Sequence, residues 1–354
     1  MKKVLIIYNR IWPYRIPIFN LLSKHYDLTV TYSIDKTFNE TVDFKVKKLP
    51  GYKLSRFFIH KKSLNNFCEE FDVVIGYGDI GWLSLMRLLF IRNRKYKIIL
   101  WGIGVRASYE NNYGEKTKWD KVRYYLMKKT DAILFYSKDP IPIYVKEGFE
   151  KDKLHVADNT VYVNPILKEI PRETILFIGT LYKQKKIYEL LNSYLDAYEL
   201  NEEIPNLEII GGGDEFENIS NWIKKNELTT KIFLRGKIFD ENILCDFFSA
   251  AIACISPGQA GLSVLKSMGY GVPYISNKNA ITGGEIFNIK NGVNGVLYEN
   301  DADLKDIILD INKNRKKYMD MGLNAKMYYD HYRKPEDMAN GIIKAIEFVS
   351  NSNS

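Results

Sequence analysis

A turn of small residues that leads into a helix is the part of the chain best suited to bind an anion. The apolar run 250–255 is predicted to be a strand, and residues 257–258 (Pro-Gly) break it before apolar residues recur at helical spacing. The first N–H groups of a helix have no partner within it, so those of Gly261, Leu262 and Ser263 are predicted to be available to a ligand. A phosphate or diphosphate is the expected ligand.

The same stretch resembles the donor-binding signature of glycosyltransferase family 4, whose usual pattern is E-x-F-G-x-x-x-x-E-A-M-A-x-G-x-P. Four residues fall in register with that pattern: Gly261, Met268, Gly271 and Pro273. Gly258 and Lys266 stand where the family has its two glutamates, which contact the donor sugar and the nucleotide ribose. The resemblance implies that Gly258 lies beside the donor, and that Lys266 makes a phosphate or hydroxyl contact in place of the ribose carboxylate.

Three further segments match the family in order: 177–185 resembles its G-R-L-x-x-x-K segment, 210–213 its I-G-x-G, and 233–236 its F-x-G. The resemblance implies donor contacts from six residues of these segments: Gly179, Lys185, Gly211, Gly213, Arg235 and Gly236. From the residues alone, Lys185 is either a point charge that reaches a donor phosphate or one more solvated lysine. The glycine run is either a ligand-binding turn or only a tight turn.

Two acidic positions in the second half have competing interpretations. Glu285 follows a glycine pair, as a glutamate does in the family, so it either holds a sugar hydroxyl or caps the residues that follow it. Asp301 and Asp303 form a D-x-D pair of the kind that other glycosyltransferases use for a metal ion. Because this pair directly precedes a predicted helix, we favour capping, and we expect neither a metal nor a cofactor besides the nucleotide sugar.

Short Val- and Ile-rich runs alternate with helical stretches through the whole chain. In the first half the predicted strands are 4–8, 28–32, 72–77, 97–101 and 132–136, and the second half repeats the alternation from residue 174. This pattern predicts parallel sheets covered by helices on both faces. The resemblance implies the GT-B fold, in which two Rossmann-like domains face each other across a cleft. We expect an acceptor-binding domain at 1–165, a donor-binding domain at 172–335, and a C-terminal helix at 336–354 that packs back on the first.

Ligands of such sheets bind at the carboxyl ends of the strands. Arg10, Trp12, Arg15 and Arg106 follow predicted strands of the first half, so we expect them to bind the acceptor. Many members of the family place a histidine in this domain near the donor sugar, and Arg106 is the polar residue nearest that place. The candidate catalytic residues are Arg106, Lys266 and Glu285.

The chain of 354 residues has a net charge of +8 and a pI of about 9.0, which indicates an anionic partner. Segments 82–97 and 116–129 mix basic with aromatic and aliphatic residues. They are either ordinary helices with a solvated basic face or surfaces that dock on anionic lipid. No nucleic-acid-binding module is recognisable, so nucleic acid is not an expected partner.

Three widely spaced cysteines favour a reducing compartment. No apolar run of about 18 residues is present. We therefore expect a cytoplasmic protein, which would lie at the inner face of the plasma membrane if the two basic segments dock on lipid.

The resemblance implies a retaining glycosyltransferase, of hexosyl or N-acetylhexosaminyl type, that acts on a lipid-linked or free saccharide. The setting would be capsule or O-antigen assembly. The alternative is a GT-B-like protein without turnover that serves as a partner in such an assembly complex, which the two missing glutamates favour.

Overall fold

The computed structural model describes residues 1–36, 41–61, 63–106, 113–164 and 170–351. These residues form two compact units. The first unit contains Met1–Arg106, Gly114–Asn159 and the chain from Pro335, and the second contains Tyr113 and Thr160–Lys334. The stretch between the two predicted domains, 166–171, lies mostly outside the described residues.

The strands are β1 (Lys3–Ile7), β2 (Arg10–Ile11), β3 (Asp27–Tyr32), β4 (Asp35–Lys36), β5 (Lys45–Lys48), β6 (Gly51–Leu54), β7 (Phe57–His60), β8 (Val73–Tyr77), β9 (Lys97–Gly102), β10 (Ala132–Phe135), β11 (Leu154–Val156), β12 (Thr174–Ile178), β13 (Asn206–Ile210), β14 (Ile232–Gly236), β15 (Ala251–Ile255), β16 (Tyr274–Asn277) and β17 (Gly295–Tyr298). The helices are α1 (Ile16–Ser23), α2 (Leu64–Cys68), α3 (Leu83–Leu88), α4 (Asp120–Met127), α5 (Ile141–Lys146), α6 (Ile187–Leu200), α7 (Phe216–Lys225), α8 (Glu241–Ala250), α9 (Leu262–Gly269), α10 (Asp301–Lys313), α11 (Arg315–Tyr332) and α12 (Pro335–Asn351).

The first unit is built on a parallel sheet with the strand order β11-β10-β9-β8-β1-β3-β5. In β1, Val4 and Ile6 pack into the core layer that also contains apolar residues of α1 and α12. Leu5 and Ile7 pack into the layer on the opposite face. Because helices cover both faces, this strand must be apolar at every inner position. Helix α12 belongs to this unit.

The second unit repeats the arrangement with a parallel sheet of order β14-β13-β12-β15-β16-β17. In β12, Ile175 and Phe177 face one core layer and Leu176 faces the other. The prediction of two α/β units with parallel sheets is confirmed. The order places the carboxyl ends of β13, β12 and β15 side by side at one edge of the sheet.

Three helices, α10, α11 and α12, fill the chain from Asp301 to Asn351. The backbone leaves the helical conformation at Asn314 (φ −122°, ψ 45°), which separates α10 from α11. Pro335 begins α12, and the residue before a proline is disfavoured in a helix. Asp303 caps α10 by accepting a bond from the N–H of Asn300 at 3.0 Å. Within the described part of the chain, no helix has the length and apolar character needed to cross a bilayer.

Candidate active site

Helix α9 begins directly after the turn that follows β15. Its N-cap is Gly261, with φ −107°, ψ −148° and no side-chain cap. Over the residues that the structure describes, the N–H groups of Gly261, Leu262 and Ser263 have no hydrogen-bond acceptor. A Cβ added to Gly261 would meet no atom within 4 Å, so the space beside this backbone is open. Unpaired N–H groups and the helix dipole together favour an anion there.

Lys185 lies in the loop after β12 and is enclosed, with only 7% of its surface exposed. Its Nζ lies 3.0 Å from the position that a Cβ would take on Gly179. Among the described ranges the ammonium has no carboxylate partner, whereas the neighbouring Lys186 pairs with Glu189 at 3.9 Å. Burial lowers the pKa of Lys185 to about 8. A cation buried without a counter-ion is the feature that an anionic ligand would relieve. The turn before α9 and the Lys185 loop meet where the N–H of Gly258 donates to the carbonyl of Lys185 at 3.1 Å, and we call Lys185 and the three N–H groups of residues 261–263 the anion cradle.

The glycines at the ends of β12 and β13 are explained by close approach of their loops. A Cβ on Gly211 would lie 1.9 Å from the carbonyl oxygen of Gly179, and one on Gly213 would lie 2.3 Å from that of Leu181. The N–H of Gly211 donates to the carbonyl of Gly236 at 2.8 Å, which connects the loop after β14 to the same edge. The predicted segments 179–185, 211–213 and 236 are therefore brought together.

Gly258, at the position of the first family glutamate, packs directly against the lysine loop. Its N–H donates to the carbonyl of Lys185 at 3.1 Å, and a Cβ there would lie 2.3 Å from the carbonyl oxygen of Gln184. A side chain at this position would displace the segment that carries Lys185. The small residue is therefore required by the way the cradle is built.

Tyr274 is a residue of this site that sequence reasoning missed. Its hydroxyl lies 2.8 Å from Ser263 Oγ and donates to the carbonyl of Gln259 at 3.2 Å. The hydroxyl of Tyr182 in turn donates to Gln259 Oε1 at 2.6 Å. Burial raises the pKa of Tyr274 well above its usual range, so its hydroxyl stays protonated. The only signal in the sequence was a tyrosine within an apolar strand, whose hydroxyl needs a partner when buried.

Glu285 is buried in the loop before β17, and its carboxylate bonds to its own turn. Oε2 accepts from the N–H of Gly283 at 3.0 Å and from Thr282 Oγ1 at 3.5 Å. The carboxylate thus bonds to residues that precede it, and the N–H of Ile286 donates to Thr282 Oγ1 at 3.2 Å, so Glu285 does not cap the residues that follow it.

Lys266 and Arg235, two predicted donor contacts, are held in ion pairs. Lys266 Nζ lies 2.7 Å from Glu241 Oε2, and the hydroxyl of Tyr270 donates to Oε1 of the same glutamate at 2.5 Å. Arg235 makes two bonds to Glu208, at 2.6 and 2.9 Å. The positive charges of both residues are therefore already compensated within the unit.

In the first unit, Arg10 and Trp12 form an open stack at the carboxyl end of β1. The Arg10 guanidinium lies 5.6 Å from the Trp12 ring centroid, and Trp12 stacks on Tyr14 with an interplanar angle of 11°. Trp12 is partly exposed and Arg106 is exposed. These residues remain open to a ligand.

Arg15 was expected to contact the acceptor, but only 3% of its surface is exposed. Its Nη2 donates to Asn159 Oδ1 at 2.7 Å and its Nη1 to Met338 Sδ at 2.9 Å. Its Cζ lies 5.2, 5.5 and 5.2 Å from the ring centroids of Tyr14, Trp101 and Tyr136. The structure thus corrects this prediction, because α12 and the surrounding rings enclose the guanidinium.

Two Rossmann-like α/β units with parallel sheets in one chain are the architecture of the GT-B fold of glycosyltransferases. The model of the family described as "Glycosyl transferases group 1" matches residues 162–328. This match supports the assignment of the chain to the glycosyltransferase superfamily.

Two uncharacterised glycosyltransferases resemble the chain in sequence. The protein from Methanocaldococcus jannaschii is 27% identical over 235 residues, which are 64% of this chain and 62% of that protein. The protein from Haemophilus influenzae is 25% identical over 239 residues, which are 66% of this chain and 65% of that protein. The match thus spans less than two thirds of either relative.

Two solved structures share the fold over nearly the whole chain. Anabaena HepE in complex with UDP is 14% identical, with a TM-score of 0.75 over 98% of this chain and 99% of its own. The lipopolysaccharide outer core galactosyltransferase WaaB, in its apo form, is 17% identical, with a TM-score of 0.65 over the same shares.

Proposed function

We propose that this protein is a retaining glycosyltransferase that moves a sugar from a nucleotide-diphosphate sugar to a saccharide acceptor. The anion cradle carries the proposal, because it combines three unpartnered N–H groups with a buried ammonium. A donor diphosphate would accept bonds from the N–H groups and neutralise Lys185. The same groups would stabilise the charge that develops on the leaving diphosphate, which is a major term in such catalysis. Retention of configuration follows from the resemblance to family 4.

The donor that we propose is a uridine-diphosphate hexose or N-acetylhexosamine. HepE has been solved with UDP and with UDP-glucose, which supports uridine as the base. Because the cradle supplies positive charge itself, transfer is proposed to need no metal ion.

The acceptor would bind to the first unit through Arg10, Trp12 and Arg106. Trp12 offers a partly exposed ring for a sugar face, and both arginines can donate to hydroxyl or phosphate oxygens. We propose a lipid-linked saccharide of a surface polysaccharide, with the protein at the inner face of the plasma membrane. The strongly basic composition and the description of WaaB support this choice.

The test is incubation of the protein with a panel of UDP- and GDP-sugars, with and without lipid-linked saccharide acceptors. We expect one UDP-sugar to release nucleoside diphosphate, faster with an acceptor. The Lys185→Met variant should lose this activity, and the matched variant Lys183→Met, at an exposed lysine of the same loop, should retain it. Equal activity of the two variants would remove Lys185 from the mechanism.

The second candidate is a GT-B-like partner protein without turnover. The three positions at which the resemblance places carboxylates favour this candidate, because contacts within the unit account for the residue at each of them. Gly258 is closed by backbone, Lys266 pairs with Glu241, and Glu285 bonds to its own turn. Calorimetric titration with nucleotide sugars separates the two candidates, because a partner protein need not bind the donor.

A further inference from the structure

The hairpin β6–β7 of the first unit presents an apolar face to solvent. Its register pairs Tyr52 with Ile59 and Leu54 with Phe57. Because side chains alternate along a strand, these four residues share one face. Leu54 is 76% exposed, and Tyr52 and Ile59 are also exposed. The outward face of such a hairpin is normally polar, so this one calls for a partner.

The opposite face of the hairpin is anchored to the start of α3. Phe58 lies 4.7 Å from the Trp82 ring, measured between centroids, and its N–H donates to the carbonyl of Gly81 at 2.8 Å. His60 Nδ1 lies 2.6 Å from Ser84 Oγ. The hairpin is therefore held in one orientation with its apolar side outward.

Helix α4 continues the exposed apolar surface. Trp119, Val122 and Tyr125 recur every three residues, which places them on one stripe of the helix. All three are exposed, Tyr125 to 58%. Inward residues such as Met127 are buried in the core. The helix thus has a second apolar stripe, which lies outside the core of the unit.

Two cations contact aromatic rings where the hairpin, α4 and Phe90 meet. Arg56, at the tip of the hairpin, lies 4.7 Å from the Trp119 ring centroid. Lys129 lies 4.7 Å from the ring of Tyr125 and 5.3 Å from that of Phe90, which is also exposed. We call the surface formed by residues 52–61, Phe90 and 118–129 the apolar–basic face.

Most cations of this face have no acidic side chain as a partner among the described residues. Six of them have no carboxylate partner within the described ranges: Arg56, Lys61, Lys118, Lys121, Lys128 and Lys129. The only acidic residue in 52–61 and 118–129 is Asp120, and it pairs with Arg123 at 2.7 Å. The face therefore combines exposed aromatic and aliphatic side chains with uncompensated positive charge.

The structure shows which parts of the two segments considered for lipid docking, 82–97 and 116–129, lie on this face. In 82–97, Leu88 and Leu89 belong to the core, and Arg94 bonds Asp131 at 2.6 Å. Phe90 remains on the surface, segment 116–129 contributes α4, and the hairpin is an addition that sequence reasoning did not foresee.

We propose that the apolar–basic face docks the protein on an anionic lipid bilayer. Its aromatic and aliphatic side chains enter the interface while its cations meet headgroup phosphates. A second copy of the chain fits less well, because a symmetric contact would place the same positive charges against each other. The inference deepens the proposed function, since a lipid-linked acceptor lies at such a surface, but docking itself requires no sugar transfer.

The test is flotation of the full chain with vesicles of phosphatidylcholine alone or mixed with phosphatidylglycerol. We expect binding to the mixed vesicles only. The double variant Leu54→Ser/Trp119→Ser should abolish binding, whereas Leu200→Ser/Leu323→Ser, at exposed leucines of the second unit, should not change it. Lys118→Ala/Lys121→Ala should weaken binding by about fivefold for each cation removed, and the matched pair Lys224→Ala/Lys225→Ala on α7 should leave it unchanged.

Three outcomes would overturn the proposal: no binding of the unaltered protein to mixed vesicles, equal loss in the matched variants, or a dimer in sedimentation velocity that Leu54→Ser/Trp119→Ser dissociates. Calorimetric titration with UDP in the absence of vesicles keeps the two proposals apart. Flotation without UDP binding would retain docking and reject the donor site. UDP binding without flotation would do the reverse, and it also shows that a variant is folded.

Discussion

Replacing Lys185 with methionine should make the protein more stable and its nucleotide binding weaker. The side chain is buried, and its pKa is about 8 instead of 10.5. At 1.36 kcal/mol per pH unit, keeping this ammonium charged in the folded state costs about 3 kcal/mol. Methionine is similar in length and carries no charge. At pH 7 we therefore expect the free energy of unfolding of Lys185→Met to rise by up to about 3 kcal/mol.

The pH dependence of stability tests independently whether the buried ammonium of Lys185 destabilises the folded state. Because the pKa of Lys185 is lower in the folded state, the unfolded chain binds more protons between about pH 8 and 10.5. The stability of the unaltered protein should therefore rise across this range, relative to that of Lys185→Met. Urea denaturation followed by circular dichroism, at several pH values, measures both effects.

Binding should change in the opposite direction. A hydrogen bond to a charged group contributes about 1.5–3 kcal/mol, so affinity for UDP should fall by roughly tenfold or more. The exposed Lys183 is the matched control, and Lys183→Met should change neither quantity. A Lys185→Met protein that is less stable and binds UDP as well as the parent would refute the assignment.

Three further predictions concern the same unit. UDP affinity should fall as the pH rises above about 8 and level off at a loss of roughly tenfold or more, as in Lys185→Met, because Lys185 then loses its charge, and a flat calorimetric profile would contradict this. Gly258→Ala should destabilise the unit by about 1–3 kcal/mol and abolish UDP binding, whereas Gly261→Ala, whose Cβ meets open space, should change denaturation by less than about 0.5 kcal/mol. Lys266→Glu should lower thermal stability by opposing Glu241, and the exchange Lys266→Glu/Glu241→Lys should restore it. Failure of the exchange would show that the Lys266–Glu241 ion pair does not account for the loss of stability.

The parts of the cradle that depend on local chain geometry were readable from the sequence. A turn of small residues before a helix predicts free N–H groups at 261–263, because helix starts always leave them. The reason for Gly258 was not readable, since it lies in a contact with Gln184 and Lys185, which are distant in sequence. The same holds for the Lys266–Glu241 pair, which joins two different helices.

Arg15 shows why the sequence could not distinguish an exposed residue at the carboxyl end of a strand from a buried one. It follows the first strand, as a ligand-binding residue would, but Met338 from the last helix closes over it. The hairpin was missed for a different reason. Tyr52 and Leu54 alternate in β6, but the apolar residues of β7 are consecutive at 57–59, and the turn through Ser55, with φ +54°, interrupts the period between the strands.

The most direct test of the anion cradle is a crystal structure of the protein soaked with UDP. We predict that the diphosphate oxygens accept hydrogen bonds from the N–H groups of Gly261, Leu262 and Ser263. Lys185 Nζ should lie within about 3 Å of a diphosphate oxygen. A nucleotide bound elsewhere, with those three N–H groups facing solvent, would contradict the proposed donor site.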